Sequence, residues 1–340
     1  MNKMNLLLAI SLGIAISSFS QQDIKQLQET ARTFQKQGDY ANALLVLNRA
    51  LQQKPNDLDI QKEIAFTYYI QRDFTKAKES INPLLDRGDA DVQTYQIGGN
   101  IYKATEEIKN AESLYKKGLS KYPNSGALLS EYGELLWAKK EPLAAIELWE
   151  KGIEVDPNHS GNYYNACNYY YYAADRVWSL VYGEIFVNLE SYSTRTAEIK
   201  NVLMEGYKKF FTQSDAFKKY DSKKKTEFEE AFLAIMNKQQ SLIVTGITVD
   251  NLVMVRSRFI LEWFETNSLK FPHRLFEYQQ QLLKDGLFEA YNQWIFGALT
   301  DVMQYQNWTS THTEQHTQFN YFQRNRVFKM PPGQYYQMKL

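Results

Sequence analysis

The sequence predicts an all-helical chain: a solenoid of four to five stacked helix pairs, then an irregular helical domain. Three observations predict it. Residue classes recur every 34 positions through the first half. Glycine and proline are scarce, 16 and 8 among 340 residues, too few for a turn-rich β chain. The stretch 158–271 holds no proline at all and carries apolar residues at helical spacing. The 39 basic and 39 acidic side chains cancel, which argues against a nucleic-acid binder driven by bulk charge. A single cysteine excludes both an intramolecular disulfide framework and a Cys-cluster metal site.

In chain order, residues 1–20 read as an export signal. Lys3 precedes an eleven-residue apolar run, Leu6–Ile16, too short to span a bilayer of about 30 Å. Ser18 and Ser20 are the small residues a signal peptidase requires, placing the cut before Gln21. No cysteine follows to carry a lipid anchor, and no later segment is apolar for long enough to span. The expected location is the periplasm or another exported compartment, where Cys167 should be buried and inert.

The repeat comes next. Alanines stand at Ala43, Ala77, Ala111 and Ala145, and small residues at Ala31, Ala65, Gly99 and Gly133, each spaced by 34. Bulky residues stand at Leu47, Ile81, Tyr115 and Trp149, and units close at Pro55, Asp89, Pro123 and Pro157. A small residue on the first helix lets the second approach, a bulky one fills the gap to the next pair, and proline ends the second helix. These columns, with GDYANALLVLNRALQQKPN at 38–56, resemble the tetratricopeptide repeat. The resemblance covers residues 21–174. A fifth, partial unit begins near Ser160, with Tyr163, Ala166, Cys167 and Tyr170 in the columns, and the register fades past Asp175. Pro83 and the Gly98-Gly99 doublet depart from good helix composition.

Residues 175–340 are expected to form the helical C-terminal domain, with helices near 176–190, 194–212, 223–240, 249–266, 272–285, 287–306 and 310–325. The β-like SLIVTGITV at 241–249 reads as a linker or a short buried segment. The tail from Pro331 onward carries no signal that decides whether it is docked or loose.

Chemistry-bearing motifs are few. His312 and His316 are spaced for one helix face, but Thr313 stands where a zinc-protease pattern needs glutamate. No phosphate loop and no nucleophile elbow occurs. Catalytic residues, metals and cofactors are therefore not expected. The lysines of Lys218–Lys225, with Lys208 and Lys209, read as a solvated loop; a peripheral contact with the envelope is their functional alternative.

What the resemblance implies is peptide binding along the first helix of each pair, by side chains at repeat positions 2, 5, 9 and 12. Here these include Lys25, Arg32, Lys62, Phe66, Tyr69, Asn100, Lys103, Trp137, Tyr164 and Asn168. Aromatics would take partner side chains, amides its backbone, and the four cations its acidic groups. Gln28 and Arg32 stand where the family's chaperone-tail clamp needs lysine and asparagine, so that role does not carry over. The expected function is an exported adaptor or assembly scaffold for a protein or peptide partner. A structural subunit of an envelope complex and an enzyme with a site in the C-terminal domain are the alternatives.

Overall fold

The computed structural model describes residues 23–173, 175–212, 225–244 and 246–337. The expected export signal and the lysines from Lys218 through Lys224 lie outside them. Among the described residues every regular element is helical. Contacts gather the chain into two compact units, Met1–Tyr115 and Lys116–Leu340. The boundary expected at 174/175 followed the fading register; these units follow packing and part inside a helix of the third pair.

The first unit holds α1 (Ile24–Lys36), α2 (Tyr40–Gln53), α3 (Leu58–Ile70), α4 (Phe74–Leu85), α5 (Val92–Ala104) and the start of α6 (Ile108–Lys121). Each helix packs on the next through α5, and α3 also packs on α5, so first helices touch one another as well as their partners. Leu27, Ala31, Ala43, Leu47, Ala50 and Ile60 form a closed apolar cluster. At Gly99 a Cβ would stand 2.4 Å from the Tyr115 ring, so only glycine admits this bulky partner. Pro83 sits in the last turn of α4, which runs past it to Leu85.

Two further 34-residue columns set the helix ends. Asp23, Asp57 and Asp91 cap the first helices by accepting from backbone N–H groups of the first turn; Asp39 and Asp73 do the same for second helices. Between helices of a pair, Gly38, Arg72, Glu106 and Lys140 all adopt positive φ, 77°, 65°, 59° and 62°. The turn demands a left-handed residue, and three of the four places are filled by side chains that take it at a cost.

The second unit begins, after the end of α6, with α7 (Gly126–Ala138), α8 (Pro142–Val155), α9 (Ser160–Tyr172), α10 (Arg176–Leu189) and α11 (Thr194–Thr212). Here α9 pairs with α10, and α11 packs on both of them. The fifth pair is thus complete, and α11 takes the place of a further first helix. Cys167 is fully buried, its thiol donating to Ser179 O at 3.3 Å, and burial pushes it up to about 12. Facing it, Gly183 occupies the slot of the bulky column, with Sγ 2.9 Å from where a Cβ would be. The size relation is inverted in this pair.

Then follow α12 (Glu227–Asn237), a 3-10 turn (Gln240–Ile243), α13 (Val249–Thr266), α14 (Arg274–Lys284) and α15 (Phe288–Asn292). A π-helical turn (Gln293–Gly297) carries α15 on to Ala298–Thr300, before α16 (Val302–Thr311) and α17 (Thr313–Asn325). The single helix expected over 287–306 is interrupted because Asp301 leaves the helical region, φ −157°, and caps Met303 and Gln304. Within 241–249, the 3-10 turn ends at Ile243 and Thr248 caps α13 by accepting from Asn251 N.

A buried polar centre ties α10 to these later helices. Glu184 Oε1 accepts from Arg256 Nη2, from Gln279 Nε2 at 2.5 Å and from the Tyr291 hydroxyl at 2.8 Å. Arg256 also donates to Asn292 Oδ1 and lies among the rings of Tyr207, Phe288, Tyr291 and Phe296. One turn on, Asn188 donates to the Tyr291 hydroxyl at 2.6 Å and accepts from Arg326 at 2.7 Å. Beside this network lies a cavity with room for about one water, walled by Leu180, Phe232, Met236, Phe259 and Phe276.

Candidate partner-binding faces

In the first unit the candidate face is built by α1, α3 and α5. Three of its four expected cations are engaged within the chain. Lys62 is buried, 2% exposed, and donates to Asp59 at 2.8 Å and Asp91 at 2.5 Å. Burial opposes its charge, but the hydrogen bonds it donates to both carboxylates prevail and hold its ammonium above the usual lysine range. Arg32 keeps an exposed side chain but pairs with Glu63, with Nε at 3.0 Å; burial raises the carboxyl of Glu63 against the pull of Arg32. Lys103 lies 5.8 Å over the Tyr115 ring. Lys25 is exposed near the start of α1. The expectation that Lys62 meets a partner's acidic group is therefore corrected: its two carboxylates already surround it.

Besides Lys25, what remains on this face is aromatic and amide. Phe66 is 38% exposed and its ring stands 6.2 Å from that of Tyr69, which in turn is 6.3 Å from Phe74. Asn100 is half-buried on α5. Gln35 donates to Thr67 at 2.8 Å, so α1 and α3 are joined by this bond as well as by the Arg32–Glu63 pair.

In the second unit the corresponding face is built by α7, α9 and α11. Trp137 is 44% exposed at the end of α7, its ring 6.2 Å from Tyr169 in an edge contact and 6.0 Å from Trp149. The inner ring is fixed: Trp149 Nε1 donates to Ser130 O at 3.2 Å. Tyr164 is half-buried, donates to Glu198 at 2.6 Å, and carries Arg195 5.1 Å over its ring. Burial, then Glu198, push its hydroxyl up to about 12. Asn168 donates to Tyr164 O at 3.0 Å, and Asn165 reaches Glu134 at 3.2 Å. Lys209 donates to the Tyr171 hydroxyl at 2.7 Å.

The structure thus brings Phe66 to Tyr69 and Tyr164 to Asn168, and turns Lys62 inward. Sequence reasoning missed Tyr169, which flanks Trp137, and the acids Glu63, Asp91 and Glu198 that take up the expected donors. A signal for the acids was present: Arg32–Glu63 and Lys62–Asp91 are opposite charges set about one repeat apart, which a stacked array brings face to face.

Three of the four histidines pack against aromatic rings. His312 stacks on Trp308, centroids 5.0 Å apart, and His316 meets the same ring edge-on at 6.4 Å. His273 is buried among Phe228, Phe276 and Tyr336, and burial lowers it to about 3. Among the described residues no group of three His, Cys, Asp or Glu side chains is placed to hold a metal ion. Nor is any described helix long and apolar enough to cross a membrane.

The family profile of the tetratricopeptide repeat matches residues 34–96. Within those residues the chain carries the tetratricopeptide repeat. The matched segment runs from the end of α1 to the start of α5, and the same helix-pair geometry recurs in the pairs after it. Solved structures with similar folds include a thermophilic tetratricopeptide repeat protein of Thermus thermophilus, with 14% identity and a TM-score of 0.46, covering 53% of this chain and 99% of that one. The pilF protein of Pseudomonas aeruginosa gives 15% and 0.44 over 59% and 97%. A tetratricopeptide repeat protein of Parabacteroides merdae gives 13% and 0.41 over 89% and 99%. No curated protein matches the chain.

Proposed function

We propose that the chain is an exported, non-enzymatic interaction scaffold whose first-helix faces hold an extended segment of a protein partner. The observation that carries this is Trp137: a large ring nearly half exposed on a first helix, steadied from below by Trp149 and from the side by Tyr169. A rigid half-exposed aromatic offers much contact area for little ordering entropy, the property of an interface anchor. Phe66 and Tyr69 supply the same chemistry in the first unit, with Asn100 and Asn168 as amides beside a partner backbone. Because Arg32 and Lys62 are paired within the chain, the preferred partner is apolar and aromatic rather than acidic.

The test is the double variant Tyr69→Ala/Trp137→Ala in affinity purification from the native envelope. Partner recovery should fall at least about tenfold, as expected for two anchors at about 1–2 kcal/mol each, with helical circular dichroism unchanged. Undiminished recovery sinks the proposal. Export is tested separately: the mature protein should begin at Gln21 on N-terminal sequencing, and an intact Met1 would refute a cleaved signal.

A further inference from the structure

The last described residues run back over the second unit as an extended strap. Along 327–330 burial alternates: Phe328 and Met330 are buried, 6% and 2% exposed, while Val327 and Lys329 face solvent. Asn158, in the turn between α8 and α9, holds the strap's backbone from both sides. Its Nδ2 donates to Met330 O at 3.0 Å, and its Oδ1 accepts from Met330 N at 2.9 Å. Gly333, φ 84°, turns the chain after Pro331 and Pro332. Beyond the turn Tyr335 lies near the buried carboxyl of Glu150, which accepts from Tyr182 at 2.8 Å through one oxygen and leaves the other without a hydrogen-bond partner. Tyr336 stacks on Phe228 at 5.0 Å and donates to Pro272 O at 2.6 Å. Gln334 accepts from Arg274 N at 2.5 Å, and Gln337 donates to the Tyr170 hydroxyl at 3.0 Å.

These contacts have the form of peptide recognition. An asparagine reads a main-chain N–H and C=O, a methionine is buried, a buried acid lies near one tyrosine, and a ring platform takes the next tyrosine. Apart from a turn at Pro332–Gly333, Phe328–Tyr336 lies in no helix or strand, so the strap is held mainly by side-chain contacts and no sheet or helix must melt to release it. We propose that the surface formed by Glu150, Asn158, Tyr170 and the Pro272–Arg274 turn is a peptide-binding site. Residues 328–337 are its resident occupant, and in trans it takes an extended peptide that presents a methionine and two adjacent tyrosines. The site shares no residue with Trp137, Tyr164 and Asn168, although Tyr170 touches Tyr169 beside Trp137, and its test reads peptide binding rather than partner capture.

The probe is a fluorescent peptide of residues 328–337, titrated by anisotropy into the full chain. Wild type should bind it weakly, because its own strap competes. Met330→Ala/Tyr335→Phe loosens the strap and should bind the peptide about 30-fold more tightly, the loss of one buried side chain and one hydroxyl contact being of that order. Adding Asn158→Ala should undo at least tenfold of the gain. Two results overturn the proposal: a folded double variant that binds no better than wild type, or binding indifferent to Asn158. Should the double variant not fold, hydrogen exchange on wild type decides. Excess peptide must speed exchange of the Met330 amide several-fold, and unchanged protection at saturating peptide refutes a displaceable strap.

Discussion

Gly133 stands 2.3 Å, measured from the Cβ it lacks, from Trp149 Nε1, and the indole behind it is fixed to Ser130. Gly133→Ala must therefore move a buried ring, and should cost about 1–3 kcal/mol in urea unfolding. The opposite sign is expected at the pair turns. Arg72, Glu106 and Lys140 occupy left-handed backbone, which costs about 1–2 kcal/mol, more than the roughly 0.5–1 kcal/mol of extra chain entropy a glycine brings. Each change to glycine should raise stability by up to about 1 kcal/mol, read as a higher melting temperature. Glu150 sets a pH dependence. Burial raises its carboxyl from 4.5 to about 7 against the lowering pull of the Tyr170, Tyr182 and Tyr335 hydroxyls, with the charge of Asp175 adding to the rise. The folded state thus binds this proton more tightly than the unfolded one. The stabilisation is complete below about pH 4.5 and is lost as pH rises through about 7, by on the order of 3 kcal/mol. The melting temperature should fall between about pH 5 and about pH 8, and Glu150→Gln should flatten that slope.

The first four helix pairs were legible because packing repeats: a small residue under a bulky one, 34 positions apart each time. The fifth pair was half hidden for the same reason. With Cys167 on the first helix, the second must be small, and Gly183 removes the bulky residue that would have marked the column. The capping column, Asp23, Asp57 and Asp91, was equally regular but went unread because capping residues are common in any helical chain. The ties of α10 to the later helices could not be read at all: Glu184, Arg256, Gln279 and Tyr291 meet only after the chain has folded. Breaking that centre should be costly. Arg256→Met leaves Glu184 buried with Gln279 and Tyr291 as donors but no opposite charge, a loss of about 3–5 kcal/mol. Glu184→Gln in the same chain should recover part of it, and equal stability of the single and double variants would argue against the pair.

For the whole molecule, zero net charge proved less informative than where charges are spent. Arg32 and Lys62 were legible as face residues from their repeat positions, but not their occupation by Glu63, Asp59 and Asp91. What is left exposed for a partner is a set of half-exposed rings, and the tail, undecided in sequence, is docked elsewhere. The claim that the first-helix faces hold the partner is tested most directly by a photo-crosslinking amino acid placed at Trp137 in cells. It should yield one discrete crosslinked protein, and the same label at exposed Lys151 on the second helix α8 should not. Adducts from Lys151 with none from Trp137 would contradict the account.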